Sequence, residues 1–325
     1  MKPNIFKYAT SELSQDAFFC WLLEWSNKKY NDEKLNGISL NFINYICQNT
    51  NKDRINSVES IKIVKQEKNI DFYAIINDSL IILFEDKTGT STHDNQLERY
   101  KKYIENYNNY RHSYVYIKSD IIFSNEIEEV RKEGYLIIDL YKLAELLDNI
   151  SINEIYDEYI EYLHDKKNKY ISYLTEEVKN WKSENWFGFI HKLNCKLEDS
   201  KFGKHYKGDD TWWLVLSIKY DKEQDNEVRL EINNKDCVIK TTFSENEVSG
   251  YKLQYKDILK KDIQKIFEGY NINYTASTGK KNMTVAYIKD KDYIILFEDG
   301  KINFDKTLDR LRVIIDRFNK YYDNL

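Results

Sequence analysis

Apolar residues near the N-terminus recur with the period of an amphipathic helix. They fall at i, i+3, i+4 and i+7, namely at Phe18, Trp21, Leu22 and Trp25. Because this spacing places them on one helical face, we predict a helix over residues 11–26. A second, shorter helix is predicted over residues 40–47. Both helices precede the part of the chain in which the period changes.

The pattern becomes that of strands after residue 57. Residues 58–66 alternate apolar and polar positions, whereas 70–76 and 80–86 are largely apolar, as in strands buried on both faces. The sequence Asn77-Asp78-Ser79 separates the last two with a turn. Further elements alternate after them: a helix from an N-cap at Thr92 to 107, a strand over 113–117, a helix over 124–132, a strand over 135–139 and a helix over 140–148. This order predicts an α/β sheet flanked by helices.

The second half of the chain has a different organisation. Residues 152–181 are helical in pattern, charged, and free of Gly and Pro, so we expect them to bridge two domains. The predicted elements that follow are a helix over 183–197, an antiparallel meander over 211–220, 227–232 and 236–242, a helix over 255–267, strands over 271–276, 283–288 and 293–297, and a helix over 304–322. We therefore predict an α/β domain over residues 1–165 and an α+β domain over residues 166–325.

Composition narrows the function classes. The 325 residues include 49 Lys and Arg against 54 Asp and Glu, a net charge of −5, which excludes a polybasic protein that grips nucleic acid by bulk charge. A nuclease remains open, because an acidic metal site adds negative charge of its own. We expect a cytoplasmic protein with reduced thiols and no membrane partner, since the chain shows no signal-peptide pattern, no long apolar run and four widely spaced cysteines.

The residues with the clearest chemical meaning follow the turn at Asp78. Side chains alternate along a strand, so Glu85 and Lys87 share one face while Asp86 points to the other. If the hairpin is centred on Asp78, residues whose numbers sum to 156 face each other. Asp71 then lies across from Glu85, with Cβ atoms about 5 Å apart. A loop one residue longer or shorter would change this register.

Two carboxylates at this distance repel each other and are desolvated between apolar strands. A divalent cation relieves that repulsion, and hard oxygen ligands select Mg²⁺ or Mn²⁺. Lys87 can then stabilise a phosphate oxygen or orient a water that the metal acidifies. The set suits hydrolysis of a phosphodiester. The alternative is that Asp71 and Glu85 are ordinary solvated strand ends, because an E-x-K triplet is common by itself.

The helix after this strand adds two polar side chains. Gln96 and Tyr100 are four residues apart and therefore lie on one helical face. Because the helix begins just beyond Lys87, its first turns are expected beside the carboxylates. An ordinary helix with a polar and an apolar stripe would explain these two residues equally well.

Asp71, Glu85-x-Lys87 and Gln96-x-x-x-Tyr100, taken in this order, resemble the PD-(D/E)XK nuclease superfamily. The trailing Q-x-x-x-Y resembles its branch with RecB-like nuclease domains. The opening sequence from Glu12 to Leu23 is similar to the first helix of an uncharacterised bacterial group within the superfamily. The resemblance covers about residues 1–145 and implies a restriction-endonuclease-like core, with an α–β–β–β–α–β order around a mixed sheet. One departure is Ile70, which stands where the superfamily name has Pro.

The resemblance implies roles for individual residues. Asp71 and Glu85 would be ligands of Mg²⁺ or Mn²⁺, and the main-chain carbonyl of Asp86 would complete the coordination. Lys87 would be the catalytic lysine. Glu12 would bind metal or organise the site.

Outside this set, the resemblance assigns supporting residues and a substrate. Gln96, Tyr100 and Glu67 would support the site or hold the substrate, although a solvated strand edge explains Glu67 equally well. The expected function is a metal-dependent nuclease acting on DNA, as an endonuclease or exonuclease, with phage defence or repair as its setting. Nucleases that cut both strands often pair, so a homodimer is also considered. The alternative function is a catalytically inactive nuclease fold that binds nucleic acid or a protein partner.

A second copy of the apolar strand motif occurs in the C-terminal half. The segment from Ile294 to Gly300 nearly repeats the segment from Ile81 to Lys87, but Gly300 replaces the lysine. The mirrored position on the preceding strand falls near Met283, which is not acidic. We therefore interpret this copy as a strand without an active site.

Overall fold

The structure is a computed structural model. It describes residues 3–9, 11–89, 95–147, 151–197, 199–204, 212–221, 226–233, 235–242, 257, 260–275 and 282–323. The chain divides into two compact units, residues 1–168 and 169–325. The predicted domain boundary at 165/166 lies inside the same helix as this division. Thr92, the predicted N-cap, lies outside the described residues.

The first unit is mixed α/β, with two helices preceding a five-stranded sheet. Its described helices of eight residues or more are α1 (Glu12–Glu24), α2 (Glu33–Thr50), α3 (Gln96–Glu105), α4 (Ser124–Lys132), α5 (Leu140–Leu147) and α6 (Glu154–Ile171). Its strands are β1 (Ile61–Lys65), β2 (Phe72–Ile76), β3 (Leu80–Lys87), β4 (Arg111–Lys118) and β5 (Leu136–Asp139). Helix α2 is longer than the predicted 40–47, because the Asp32 side chain caps it by accepting a hydrogen bond from Leu35 N at 2.9 Å.

The sheet of the first unit has the order β1-β2-β3-β4-β5. The first three strands form an antiparallel meander, and β3, β4 and β5 run parallel. The β2–β3 hairpin pairs Phe72 with Phe84 and Ile76 with Leu80, so the numbers of paired residues sum to 156. The predicted register is therefore confirmed. Since β3 lies at the centre of the sheet, all eight of its residues are buried.

Helices cover both faces of this sheet. On one face, Tyr73, Ile81 and Leu83 pack with Leu97 and Ile104 of α3 in a single apolar cluster. The opposite face carries a stacked pair, Phe72 and Phe84, whose ring centroids are 4.6 Å apart. Burial on both faces explains why β2 and β3 read as apolar runs rather than as alternating strands.

The second unit contains a six-stranded antiparallel sheet. The sheet order is β10-β11-β9-β8-β7-β6. Its strands are β6 (Lys201–Lys204), β7 (Trp212–Asp221), β8 (Asn226–Asn233), β9 (Asp236–Thr242), β10 (Ile272–Tyr274) and β11 (Asn282–Ile288). Its helices are α7 (Ser183–Lys196), a helical stretch over residues 260–266, which we label α8, and α9 (Phe304–Asp323). The predicted meander over β7, β8 and β9 is confirmed.

The predicted strand over 293–297 is wrong, because the segment forms turns. Asp290 and Lys291 adopt left-handed φ values of 52° and 55°, which redirect the chain after β11. Tyr293 is fully buried, and its hydroxyl donates to the Lys235 carbonyl at 2.9 Å. A tight turn then closes through Phe297, whose N–H donates to the Lys301 carbonyl at 2.8 Å. The acidic pair of the repeated motif, Glu298-Asp299, lies exposed on this turn.

None of the described helices combines the length and apolar character needed to cross a membrane.

Candidate active site

Three ionisable residues end the central strand in an environment that excludes water. Glu85 and Asp86 are 0% exposed and Lys87 is 6% exposed. Beyond the last hairpin pair, β3 continues alongside β4, with Glu85, Asp86 and Lys87 paired to β4 residues. Burying ionised groups is expensive unless they are paired or hold an ion, so this strand end requires an explanation beyond folding.

Asp71 lies beside this strand end, as the register requires. The last hairpin pair is Phe72 with Phe84, which brings the preceding Asp71 next to Glu85. The backbone N–H of Asp86 donates to Asp71 Oδ2 at 2.8 Å. This bond fixes one oxygen of the Asp71 carboxylate against β3.

Lys87 joins two acidic side chains at the same place. Its ammonium lies 2.5 Å from Glu85 Oε1 and 3.8 Å from Glu12 Oε2 of α1. The contact with Glu85 is an ion pair rather than a well-aligned hydrogen bond, and Glu85 Oε2 accepts no hydrogen bond within the described residues. The structure therefore brings Glu12, Asp71, Glu85 and Lys87 together.

The electrostatics of the cluster follow from this crowding. Burial, followed by the charge of Asp71, raises the pKa of Glu85 to about 8. Burial also raises the pKa of Asp71 above its ordinary value. Burial alone would lower the pKa of Lys87, but Glu85, Glu12 and Asp71 together outweigh it, and the pKa is raised. At neutral pH the lysine is charged, while the two carboxylates resist being ionised together.

These donors suit a hard divalent cation. Within the described parts of the chain, no three side chains of His, Cys, Asp or Glu form a ready-made metal site. Asp71, which is half-buried, and Glu85, which is fully buried, nevertheless supply two carboxylates, and Glu85 Oε2 accepts no hydrogen bond within the described residues. Mg²⁺ is commonly held by one or two carboxylates while it keeps several waters, so the donor set fits this ion. The positive charge would also offset the burial that raises the pKa of both carboxyls.

Asp86 points to the opposite face of the sheet, as the alternation predicted. There its carboxylate accepts a hydrogen bond from Gln15 of α1, and Tyr159 of α6 donates to Gln15 Oε1 at 3.2 Å. All three residues are buried. The Asp86 backbone N–H also donates to Asp71. These contacts on the opposite face of the sheet therefore help to fix the position of Asp71, a candidate metal ligand.

Gln15, Asp16 and Tyr159 were not predicted from the sequence to have a role at the site. Burial, followed by the charge of Asp71, raises the pKa of Asp16 to about 6. A signal was present in α1, where Glu12, Gln15 and Asp16 fall at i, i+3 and i+4. Three polar residues at that spacing share one helical face, in a helix that otherwise buries apolar side chains.

Tyr159→Phe tests the buried chain behind Asp71. The change removes the hydrogen bond to Gln15 while keeping the ring, so we expect the free energy of unfolding to fall by about 1 kcal/mol. The measurement is urea denaturation in EDTA. Tyr162→Phe is the matched control, because Tyr162 lies on the same helix, is half-buried and has no hydrogen bond to a described residue. Equal effects of the two substitutions would contradict the assignment.

The supporting residues from the sequence have different placements. Gln96 Nε2 donates to Tyr100 Oη at 3.0 Å, and the negative charges of Glu85 and Asp71 help to raise the pKa of Tyr100 after its burial. These two residues therefore flank the cluster. Glu67 accepts a hydrogen bond from Tyr73 instead, and no contact among the described residues joins it to the four clustered side chains.

Two lysines on neighbouring elements lie near this strand end, and both are ion-paired. Lys118 lies beside Lys87 in the β3–β4 register and pairs with Glu126 at 2.7 Å. Lys166 of α6 donates to the Thr88 carbonyl at 3.3 Å, just past the end of β3. Lys166 also pairs with Asp120 at 3.2 Å, so both charges are compensated by described carboxylates.

Comparison with known proteins finds no match for this chain among protein-family models, curated proteins or solved structures. The resemblance to the PD-(D/E)XK superfamily therefore depends on the residues and their geometry alone.

Proposed function

We propose that this protein is a Mg²⁺- or Mn²⁺-dependent nuclease that hydrolyses phosphodiester bonds. The observation that carries the proposal is the convergence of Asp71, Glu85 and Lys87 at one buried strand end. Glu12 lies beside them. A fully buried glutamate beside a half-buried aspartate and a buried lysine is costly to fold, and such arrangements are concentrated at functional sites.

The roles of the residues follow from their positions. Asp71 and Glu85 would hold the ion, and the main-chain carbonyl of Asp86 lies on the strand between Glu85 and Lys87. The ion would supply a Lewis acid for the phosphate and an acidified water. Lys87 stays charged at neutral pH because its pKa is raised, so it can bind a phosphate oxygen or orient the attacking water. Glu12 limits where the ammonium can move.

The element order supports the same conclusion. The chain runs α1, α2, then β1, β2 and β3, then α3 and β4, with antiparallel and parallel pairs meeting at β3. This agrees with the restriction-endonuclease-like core that the residue motifs imply. DNA is the proposed substrate because the superfamily is mostly directed at DNA. Phage defence or repair is proposed as the setting on the same ground.

The proposal predicts that the purified protein cleaves DNA when Mg²⁺ or Mn²⁺ is present and not in EDTA. The substrates are plasmid, linear duplex and single-stranded DNA, with RNA as the comparison. In parallel, calorimetry should detect Mn²⁺ binding that weakens at least about tenfold in Asp71→Asn, because the amide loses the charge that attracts the cation. Asp78→Asn is the matched control, because it makes the same change on the exposed hairpin turn. Asn77→Asp is not suitable, because the Asn77 side chain is hydrogen-bonded to the backbone just before β1.

The same experiment separates the enzyme from an inactive binding module. Cleavage with metal binding that depends on Asp71 supports the enzyme. Binding of DNA without cleavage of any substrate, together with Mn²⁺ binding that Asp71→Asn leaves unchanged, would contradict the proposal and favour the module.

A further inference from the structure

The second unit contains a pocket that none of the preceding roles uses. Its volume is about 640 Å³, within the range of small-molecule sites. Its walls come from the 3₁₀ turn Val178–Asn180, the start of α7, the β8–β9 turn and the segment after β11. All of the lining residues belong to the second unit, so the pocket is independent of the carboxylate cluster.

Lysines outnumber acidic residues in the lining of this pocket. Four lysines line it, Lys179, Lys235, Lys289 and Lys291, against two aspartates, Asp290 and Asp292. Asp292 is partly neutralised by Arg310 at 3.0 Å, and Lys179 is paired with Glu177 at 2.6 Å. The other three lysines form no ion pair with a described carboxylate. In a chain with a net charge of −5, three such ammonium groups in one concavity favour an anionic ligand.

Another part of the pocket lining is apolar and rigid, and Lys235 Nζ lies 5.9 Å from the ring centre of Trp186 within it. Trp181 and Trp186 line it and pack edge to face, with ring centroids 4.8 Å apart. Both are largely buried, at 7% and 2% exposed, so they form a fixed wall. Ile294 and Leu296 continue this wall, and Leu296 is 50% exposed. A small inorganic anion would leave this apolar surface unused.

The lysines are held in place by the backbone rather than carried on a mobile tail. The Tyr293 hydroxyl bonds to the Lys235 carbonyl and ties the β8–β9 turn to the segment after β11. The Lys289 N–H donates to the Asn271 carbonyl at 2.8 Å. Lys235, Asp290 and Lys291 all have positive φ values, between 52° and 79°. Backbone strain of this kind persists where the surrounding structure enforces it, and it is frequent at ligand sites.

We propose that this pocket binds a nucleoside phosphate. Lys235, Lys289 and Lys291 would bind the phosphate, and the wall formed by Trp181, Trp186 and Leu296 would pack against the uncharged nucleoside. The ligand is either a free nucleotide or one nucleotide of a nucleic-acid strand, since both present the same chemistry. A fatty acid carries a single carboxylate and would leave most of the lysine charge uncompensated.

Calorimetry in EDTA tests the proposal without depending on cleavage. The probes are AMP, ATP, inorganic phosphate and a short single-stranded DNA. The test variant is Lys289→Glu/Lys291→Glu, and the matched control is Lys192→Glu/Lys196→Glu, which makes the same charge change at exposed positions of α7. We expect the test variant to weaken binding about 10²-fold, about tenfold for each lost charge-assisted contact, while the control keeps its affinity. Urea denaturation checks that both variants are folded.

The probes also distinguish the two sources of ligand. Binding of AMP or ATP that the test variant loses supports a free nucleotide, and binding of the oligonucleotide alone, lost in the same variant, supports a strand. Leu296→Ala should weaken AMP binding and leave phosphate binding unchanged. The proposal is overturned if no probe binds at millimolar concentration, if the test variant and the control bind equally, or if inorganic phosphate binds as tightly as AMP.

Discussion

Lys87→Met is expected to lower the rate constant of DNA cleavage by about 10²- to 10³-fold, the usual cost of removing one charge-stabilising donor from an active site. The Lys87 ammonium lies 2.5 Å from Glu85, and among the described residues it is the only positively charged group that contacts both Glu85 and Glu12. Without it, a phosphate oxygen or an attacking water loses its positive partner. Methionine keeps most of the length and the apolar stem, which limits the change in packing.

The measurement is single-turnover cleavage with saturating Mg²⁺, so that the constant reports the chemical step. Lys102→Met is the matched control, because Lys102 lies on α3 and its side chain is 68% exposed. Lys87→Arg should recover part of the rate, since it restores the charge with a different shape. Cleavage by Lys87→Met at the rate of the control would show that the proposed site is not the one that acts.

The position of the cluster could be predicted because local rules determine it. The turn Asn77-Asp78-Ser79 sets the hairpin register, and the apolar runs on each side ensure that β2 and β3 are both buried. From those two facts, the relation between Asp71 and Glu85 follows by counting. The register in the structure agrees, from Phe72 with Phe84 to Ile76 with Leu80.

The contacts that hold the cluster from behind could not be predicted in the same way. Gln15 reaches Asp86, and Tyr159 reaches Gln15, only because α1 and α6, which are far apart in the sequence, pack on the same side of the sheet. No local pattern states which helices will meet. The pocket of the second unit has the same origin, since its lysines come from separate turns.

The incorrect strand over 293–297 shows the limit of reading apolar runs. Leu83 and Phe84 in β3 are fully buried between two neighbouring strands. In the nearly identical later segment, Leu296 and Phe297 are 50% and 54% exposed. The difference arises before the segment begins, where the left-handed residues Asp290 and Lys291 turn the chain out of the sheet. A run of the same letters therefore forms a strand only where a partner strand is available.

Glu85→Gln is expected to abolish metal-dependent cleavage and to remove a pH dependence from the stability of the metal-free protein. The pKa of Glu85 is raised from its ordinary value of 4.5 to about 8, chiefly by burial. A carboxyl with a raised pKa in the folded state stabilises fully below the unfolded value, and this contribution is lost as the pH rises towards the folded value. In this window the wild type should lose about 1.4 kcal/mol of stability per pH unit relative to the variant.

The cleavage rate should fall at least about 10²-fold, because a neutral amide is a poor substitute for a carboxylate on a hard cation. The stability measurement is urea denaturation in EDTA at about pH 6 and about pH 7.5, an interval over which the difference should change by about 2 kcal/mol. The variant also leaves Lys87 without its closest partner, which lowers its free energy of unfolding by an amount that does not change with pH while Lys87 is charged. The informative quantity is therefore the change of the stability difference between the two pH values.

The effect of added Mn²⁺ on the free energy of unfolding tests whether Glu85 binds the metal. At about pH 7.5 the ion should stabilise the wild type and have little effect on Glu85→Gln, since a bound cation removes the penalty for ionising Glu85. Glu98→Gln on α3 is the matched control and should respond to the ion as the wild type does, because its carboxylate is exposed and pairs with Lys102. If the wild type and Glu85→Gln had parallel stability profiles between these pH values, Glu85 would be an ordinary ionised residue, and the metal site that we infer from it would be wrong.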